Sequence, residues 1–170
     1  MPIPERPTGP TKLRKAVQKL FDEASELATV THADPKRVRS VRKRLARLNA
    51  SEVVDPLFAM LRGDDPQRIA AEALCALERL PDEVYIPALV ERLPELSEQS
   101  NEWCFCAMVR VINTRDRPDD CSARFEAAIR EAPLAIRELV EDTLREHMPK
   151  VSPIVRDAID ATLNALAADS

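Results

Sequence analysis

Glycine is almost absent from this chain, and that scarcity restricts the possible folds more than any other feature. The 170 residues contain two glycines, Gly9 and Gly63, where average usage would give about a dozen. Phosphate-binding loops, dinucleotide fingerprints and tight hairpins each depend on glycine at positions that other residues occupy poorly. Aromatic residues make up 4% of the chain, which is low for a β sandwich or barrel. We therefore predict an all-α protein without a glycine-rich nucleotide site.

Apolar residues recur at helical spacing from residue 11 almost to the end of the chain. Serine, aspartate and proline interrupt the pattern at positions typical of helix starts, such as Asp34-Pro35 and Ser152-Pro153. Gly63 is placed to end the third helix. The pattern predicts about nine helices with short connections. Their predicted ranges are 11–30, 35–48, 52–62, 66–80, 83–93, 98–113, 118–131, 133–147 and 153–168.

The sixth predicted helix is apolar on every face along Trp103-Cys104-Phe105-Cys106-Ala107-Met108-Val109. A helix of this kind is covered on all sides in a folded protein. We therefore expect it in the middle of the molecule.

The chain divides into a short tail and one helical domain. Residues 1–10 contain four prolines and Gly9, which predicts a flexible extended tail. Residues 11–170 are predicted to form a single helical-repeat domain, with a basic helix pair at 11–50 followed by further pairs and a terminal helix at 51–168. Neither a secretory signal nor a membrane span is recognisable. The four cysteines lie in or beside apolar segments that are predicted to be helical. Together, these two observations favour reduced thiols and a cytoplasmic protein.

Two segments of the chain repeat at an offset of 31 residues. Residues 51–62 align without gaps on residues 82–93, and each segment begins with a capping residue and precedes a second predicted helix. The identical pairs are Glu52 and Glu83, Val53 and Val84, and Pro56 and Pro87. Because a single helix pair cannot bury its apolar face alone, a fixed period of this size predicts an α-solenoid of stacked antiparallel pairs.

Two stretches within residues 65–93 have the pattern of a known helical repeat. Ile86-Pro87-Ala88-Leu89-Val90-Glu91-Arg92-Leu93 and Asp65-Pro66-Gln67-Arg68-Ile69-Ala70-Ala71-Glu72-Ala73-Leu74 resemble the first and second helices of bacterial, phycobilisome-lyase-like HEAT repeats. The resemblance covers residues 51–93 and leaves HEAT and armadillo types open for the later pairs. It implies that Arg68 bonds the aspartate of a neighbouring turn.

Charge is distributed unevenly along the chain. Residues 1–50 hold 12 Lys and Arg against 5 Asp and Glu, a local charge of +7, and residues 51–170 hold 13 against 24, a local charge of −11. The second predicted helix concentrates seven cations without an acid, namely Lys36, Arg37, Arg39, Arg42, Lys43, Arg44 and Arg47. Like charges repel along a helix, so helix stability does not explain them. They indicate a solvated helix facing the acidic repeats, a surface for an acidic protein or a second copy of the chain, or a surface for a phosphate backbone.

Residues that commonly carry catalysis or bind metals do not form a recognisable constellation. His32 and His147 are far apart, and neither adjoins a nucleophile motif. Cys104 and Cys106 point about 200° apart on a helix, which does not suit one metal ion. We therefore predict a protein that is not an enzyme and that has no cofactor and no metal.

A solenoid would present the second helix of each pair on a concave face, which is where these proteins bind partners. The candidate contact residues on the fourth, sixth and eighth predicted helices and their flanks are Gln67, Glu72, Gln99, Glu102, Arg110, Arg137, Glu141 and Arg145. We expect a non-catalytic scaffold that binds a protein partner through this face, the basic helix, or both. Nucleic-acid binding in the manner of HEAT-like DNA glycosylases is the alternative, and a bilin lyase-like role is a further one.

Overall fold

The computed structural model describes residues 15–49 and 52–168, and every regular element in these ranges is helical. The all-α prediction is therefore confirmed for the described residues, while the proline-rich segment 1–10 lies outside them. No helix in the described ranges is both long enough and apolar enough to cross a membrane. The α-helices are α1 Lys15–Ala28, α2 Pro35–Leu45, α3 Val54–Phe58, α4 Ile69–Leu77, α5 Asp82–Gln99, α6 Asn101–Ile112, α7 Ser122–Glu131, α8 Leu134–His147 and α9 Pro153–Ala167, with a 3-10 turn at Met148–Lys150.

The helices pack chiefly against helices that are near them in chain order. The first two, α1 and α2, pack against each other and against α4, which also packs against α3. Further along, α5 contacts α3, α6, α7 and α8, and α9 lies against α6 and α7. One buried apolar core runs from Leu20 in α1 to Leu166 in α9. The basic helix α2 and the terminal helix α9 therefore border different parts of that core.

The central position predicted for the sixth helix is confirmed, because α6 packs against α5, α7, α8 and α9. Its Cys104 and Met108 are fully buried. The two flanks of this buried face are only partly buried. On one flank the Phe105 ring stacks on the His147 imidazole with 4.3 Å between centroids, and on the other Trp103 Nε1 donates a hydrogen bond of 3.0 Å to the Gly63 carbonyl. The prediction that α6 is covered on all sides is therefore wrong along these flanks.

The third helix is much shorter than the 52–62 prediction, since α3 comprises only Val54–Phe58. The chain leaves the helix through a turn in which Met60 N bonds Leu57 O, and Arg62 N bonds Met60 O. Gly63 has a φ of 61°, but it lies several residues beyond the helix and does not cap it. A Cβ at this position would meet nothing within 4 Å, so the left-handed backbone alone favours glycine there.

The boundary between the fifth and sixth helices was also predicted wrongly. Instead of ending near residue 93, α5 continues through Pro94 to Gln99. Leu93 and Leu96 on either side of this proline are buried, and their burial offsets the missing backbone donor. Ser100 alone separates α5 from α6, with its hydroxyl accepting from Trp103 N at 3.3 Å.

The seventh helix begins at Ser122 rather than at residue 118. Asp116 has a left-handed backbone, with φ 63°, and the Asp120 carboxylate accepts bonds from Asp116 N at 3.1 Å and Ser122 N at 2.8 Å. The hydroxyl and amide of Ser122, together with the Asp116 amide, lower the pKa of Asp120. This hydrogen-bonded turn occupies the residues that the sequence assigned to the first turn of the helix.

Candidate functional site

The basic helix α2 forms because its start is capped and its inner face is apolar. Asp34 accepts a hydrogen bond of 3.0 Å from Lys36 N, and Pro35 occupies the first turn. Val38, Val41 and Leu45 are buried, at the spacing of one helical face. This inner face fixes α2 against α1 and α4, so the cations must point sideways or outward.

Two of the predicted site residues are used in holding α2 to α1. Arg37 binds Glu26 through both terminal nitrogens, at 3.1 and 2.9 Å, and its Nε donates to Glu23 at 3.2 Å. Arg44 binds the second oxygen of Glu23 at 2.9 Å. Hydrogen bonding and charge from Arg37 lower the pKa of Glu26. Arg37 and Arg44 therefore pair with carboxylates of α1 rather than with those of the acidic residues 52–168.

Four other cations of this region form a single row that we call the outer stripe. Lys36, Arg39, Lys43 and Arg47 are exposed, and their side chains have no ion-pair or hydrogen-bond partner among residues 15–49 and 52–168. They follow one another at steps of three, four and four residues, and Arg47 lies in the turn that follows α2. At 100° per residue, these steps keep Lys36, Arg39 and Lys43 opposite the apolar face, and Arg47 continues the row in a turn in which its amide bonds Arg44 O. The outer stripe is therefore an uncompensated cationic surface about 16 Å long.

Beside the outer stripe, a cavity of about 570 Å³ lies between α2 and the turn that leads into α4. We call it the cationic groove. Four cations line it, namely Arg39, Arg42, Lys43 and Arg68, together with one acid, Glu72. Glu72 lies 3.5 Å from an Arg42 terminal nitrogen, and the Arg42 Nε is buried without a hydrogen-bond partner. The groove has a net charge of +3 from these five side chains.

The wall of the groove opposite α2 is built by the turn before α4. Helix α4 begins at Ile69 rather than at residue 66, because Arg68 adopts a left-handed conformation with φ 57° and ψ 34°. Asp65 caps the helix by accepting bonds from Ile69 N at 2.6 Å and Ala71 N at 2.9 Å. Gln67 ties the turn to the end of α1 through Val30 and Thr31 carbonyls, at 2.8 and 3.1 Å.

The role that the resemblance implied for Arg68 is not observed. The side chain bonds no aspartate among the described residues, because the Asp65 carboxylate is occupied by backbone amides. Arg68 is instead exposed and lines the cationic groove. Charge patterning had indicated only the cations of α2. The strained backbone that adds Arg68 to them has no signal in the sequence.

The remaining predicted contact residues line other parts of the surface. Arg110 binds Glu78 with two nitrogens and lines a separate cavity of about 460 Å³ with the buried Tyr85. Arg137 and Glu141 line another, of about 360 Å³, beside α7 and α9. Of the other candidates, Glu102 is exposed, Gln99 bonds Glu95 at 2.8 Å, and Arg145 bonds Glu141 at 2.8 Å. The structure brings only Gln67 and Glu72 of this set to the cationic groove.

Residues suited to metal binding or nucleophilic chemistry are dispersed in the described part of the chain. No group of three or more His, Cys, Asp or Glu side chains there could hold a metal ion. The four cysteines are free thiols, and burial raises the pKa of Cys104 to about 12. His147 packs on Phe105 and lies 3.3 Å from the Asn101 amide nitrogen. The cationic groove and the outer stripe are therefore the strongest candidate site in the described part of the chain, and their positive charge suits an anion.

Comparison with known proteins identified no relative of this chain. No protein-family model, curated protein or solved structure matches the chain.

Proposed function

We propose that this protein is a non-catalytic helical-repeat scaffold that binds an acidic segment of a partner protein along α2. The observation that carries the proposal is the outer stripe, where four cations on one exposed face lack partners among the described residues. Neighbouring cations on the same helix are paired with carboxylates. Cations repel one another on a helix, so an uncompensated row costs stability that a bound anion would restore.

The order of helix packing supports a solenoid of the HEAT type. Helices two apart in the chain contact each other repeatedly: α2 with α4, α3 with α5, α5 with α7, α6 with α8, and α7 with α9. Consecutive helices also pair, as in α3 with α4 and α5 with α6. Two layers of stacked helices would give this pattern, and solenoids of this kind act as binding scaffolds.

The size and charge of the surface favour an acidic protein segment over a nucleic acid. The outer stripe extends about 16 Å, which offers few phosphate contacts on a duplex. Residues 51–170 carry a local charge of −11, which would repel a polyanion extending beyond α2. No aromatic residue lines the cationic groove, so bases would lack the stacking partners that single-strand binders use. A short acidic segment avoids all three problems.

A quantitative binding experiment tests the scaffold proposal. We expect a labelled glutamate-rich helical peptide to bind the native protein at moderate salt, measured by fluorescence anisotropy. Replacing Lys36, Arg39, Lys43 and Arg47 by Gln removes four exposed contacts of about 0.5 kcal/mol each, so the affinity should fall about thirtyfold. A variant with an equal loss of charge elsewhere serves as the matched control, with Lys19, Arg62, Arg79 and Arg156 replaced by Gln.

The same measurements with duplex DNA decide between the two classes of partner. Duplex that binds tighter than the peptide, with log affinity falling at about 0.9 per phosphate contact against log salt, would establish the nucleic-acid alternative instead. Equal losses of peptide affinity in the stripe variant and the control variant would show that net charge alone drives binding, and the proposal would be wrong.

A further inference from the structure

We propose that the cationic groove is a phosphoryl site, so that the acidic partner segment is recognised in its phosphorylated form. This inference rests on the proposed function, because it names the chemistry of the partner that the outer stripe would hold. The groove shares Arg39 and Lys43 with the outer stripe. It differs from the stripe because it also includes a cation from the turn before α4. Two separate elements therefore converge on one volume.

The charge of the groove fits a dianion better than a carboxylate. Its lining has a net charge of +3, since Arg39, Arg42, Lys43 and Arg68 face a single acid. A carboxylate would bring one negative charge, whereas a phosphoserine brings about 1.5 to 2 and three strong acceptor oxygens. Three of the four cations are arginines, whose planar guanidinium groups bind phosphate oxygens in pairs.

Arg42 has hydrogen-bonding capacity that the folded chain does not use. Its Nε is buried and lacks an acceptor, and its contact with Glu72 is at the long limit of a hydrogen bond, 3.5 Å. A buried donor without a partner is unfavourable. The Arg42 side chain as a whole is 40% exposed, so a shift of the guanidinium toward a phosphoryl oxygen in the groove would give the unpaired donor an acceptor.

Arg68 provides an independent indication, because it occupies a backbone conformation that arginine disfavours. Its φ of 57° is left-handed, a region in which Gly or Asn is favoured. Left-handed backbone is uncommon for residues other than glycine and is enriched at functional sites. The Asp65 carboxylate already accepts from the first amides of α4, so the helix end itself is not the anion site. The Arg68 side chain is the group that this turn contributes.

Substitution of Arg68 separates ligand binding from folding. Arg68→Gly removes the cation and relieves the backbone, so we expect a higher melting temperature together with weaker binding. Fluorescence anisotropy compares two glutamate-rich peptides that differ only in a central serine or phosphoserine. In the native protein the phosphoserine peptide should bind about tenfold tighter, and Arg68→Gly should reduce that ratio to about twofold. Arg68→Lys keeps the positive charge but lacks the planar guanidinium group. We expect it to give an intermediate ratio of the two peptide affinities.

A control outside the groove distinguishes this inference from the scaffold proposal. Lys36 and Arg47 belong to the outer stripe but do not line the groove, so replacing both by Ala should weaken both peptides equally. Equal binding of the two peptides to the native protein, or an unchanged ratio in Arg68→Gly, contradicts the phosphoryl site and leaves the scaffold proposal standing. Failure of both peptides to bind contradicts the two proposals together.

Discussion

Two neighbouring side chains of α6 differ in how far they are enclosed, although both belong to the same apolar run. Met108 is fully buried, whereas Phe105 is only partly buried and has the polar imidazole of His147 against its ring. Removing a fully enclosed side chain leaves a cavity that its neighbours cannot fill. Removing a half-buried ring lets solvent or the His147 ring move in.

We therefore expect Met108→Ala to lower the free energy of unfolding by about 2–5 kcal/mol. Phe105→Ala should cost less than Met108→Ala, even though phenylalanine is larger. Urea denaturation followed by circular dichroism at 222 nm measures both. A larger loss for Phe105→Ala would show that the stacked face is the true centre of the core.

Burial should also protect one thiol from modification. Cys104 is fully buried and its pKa is raised to about 12, so almost no thiolate forms at neutral pH. We expect Cys104 to remain unmodified by iodoacetamide at pH 8 until the protein unfolds, while Cys75, which is partly exposed, reacts first. Mass spectrometry of tryptic peptides after timed alkylation identifies the order, and early labelling of Cys104 would contradict it.

At the scale of elements, ion pairs join α1 to α2. Desolvation raises the pKa of Glu23, but hydrogen bonds from Arg37 and Arg44 outweigh it, and the pKa lies below its ordinary value of 4.5. Glu26 is shifted in the same direction by Arg37. Carboxyls with lowered folded-state pKa values stabilise the folded state above pH 4.5, and this contribution is lost as the pH falls through the lowered values.

Arg37→Gln should therefore lower the melting temperature near neutral pH and have progressively less effect as the pH falls below 4.5. Thermal unfolding of the two proteins across an acidic pH series gives the comparison. Because Glu26 is exposed and Glu23 is only half-buried, we expect a small effect of a few degrees at most. A difference in melting temperature that persists unchanged at strongly acidic pH would mean that Arg37 acts through packing alone.

At the scale of the whole molecule, contacts between near neighbours limit how far a local disturbance spreads. A buried polar network holds α9 in place: Thr162 donates to Glu126 at 2.9 Å, and Arg115 donates to Thr162 at 3.1 Å and to Glu126. Thr162 and Glu126 are almost completely buried. Helix α9 lies against α6 and α7, whereas α2 lies against α1 and α4, so the two ends of the core are separately supported.

Thr162→Val keeps the shape of the side chain and removes its hydroxyl, which should cost about 1–3 kcal/mol because buried partners lose hydrogen bonds. We expect hydrogen exchange to accelerate in α7 and α9 and to stay unchanged in α1 and α2, since helical arrays open locally. Amide exchange followed by mass spectrometry resolves these segments. Equal acceleration in α2 would show that the chain unfolds as one cooperative unit.

Sequence alone determined the helical class, the central position of α6 and the cationic character of α2. Each of these depends on local chemistry: scarce glycine, apolar residues at helical spacing, and seven cations in one short run. Asp34-Pro35 was also sufficient to place the start of α2, because a cap and a first-turn proline act within a few residues.

Packing between helices sets where several helices end and which cations remain unpaired among the described residues. α5 passes through Pro94 because buried leucines on both sides outweigh the lost backbone donor. α4 starts late because Arg68 is left-handed. Arg37 and Lys36 are adjacent and chemically alike, yet α1 places carboxylates beside the former and none beside the latter. Pairing depends on which side chains other helices bring near, and that information is absent from the local sequence.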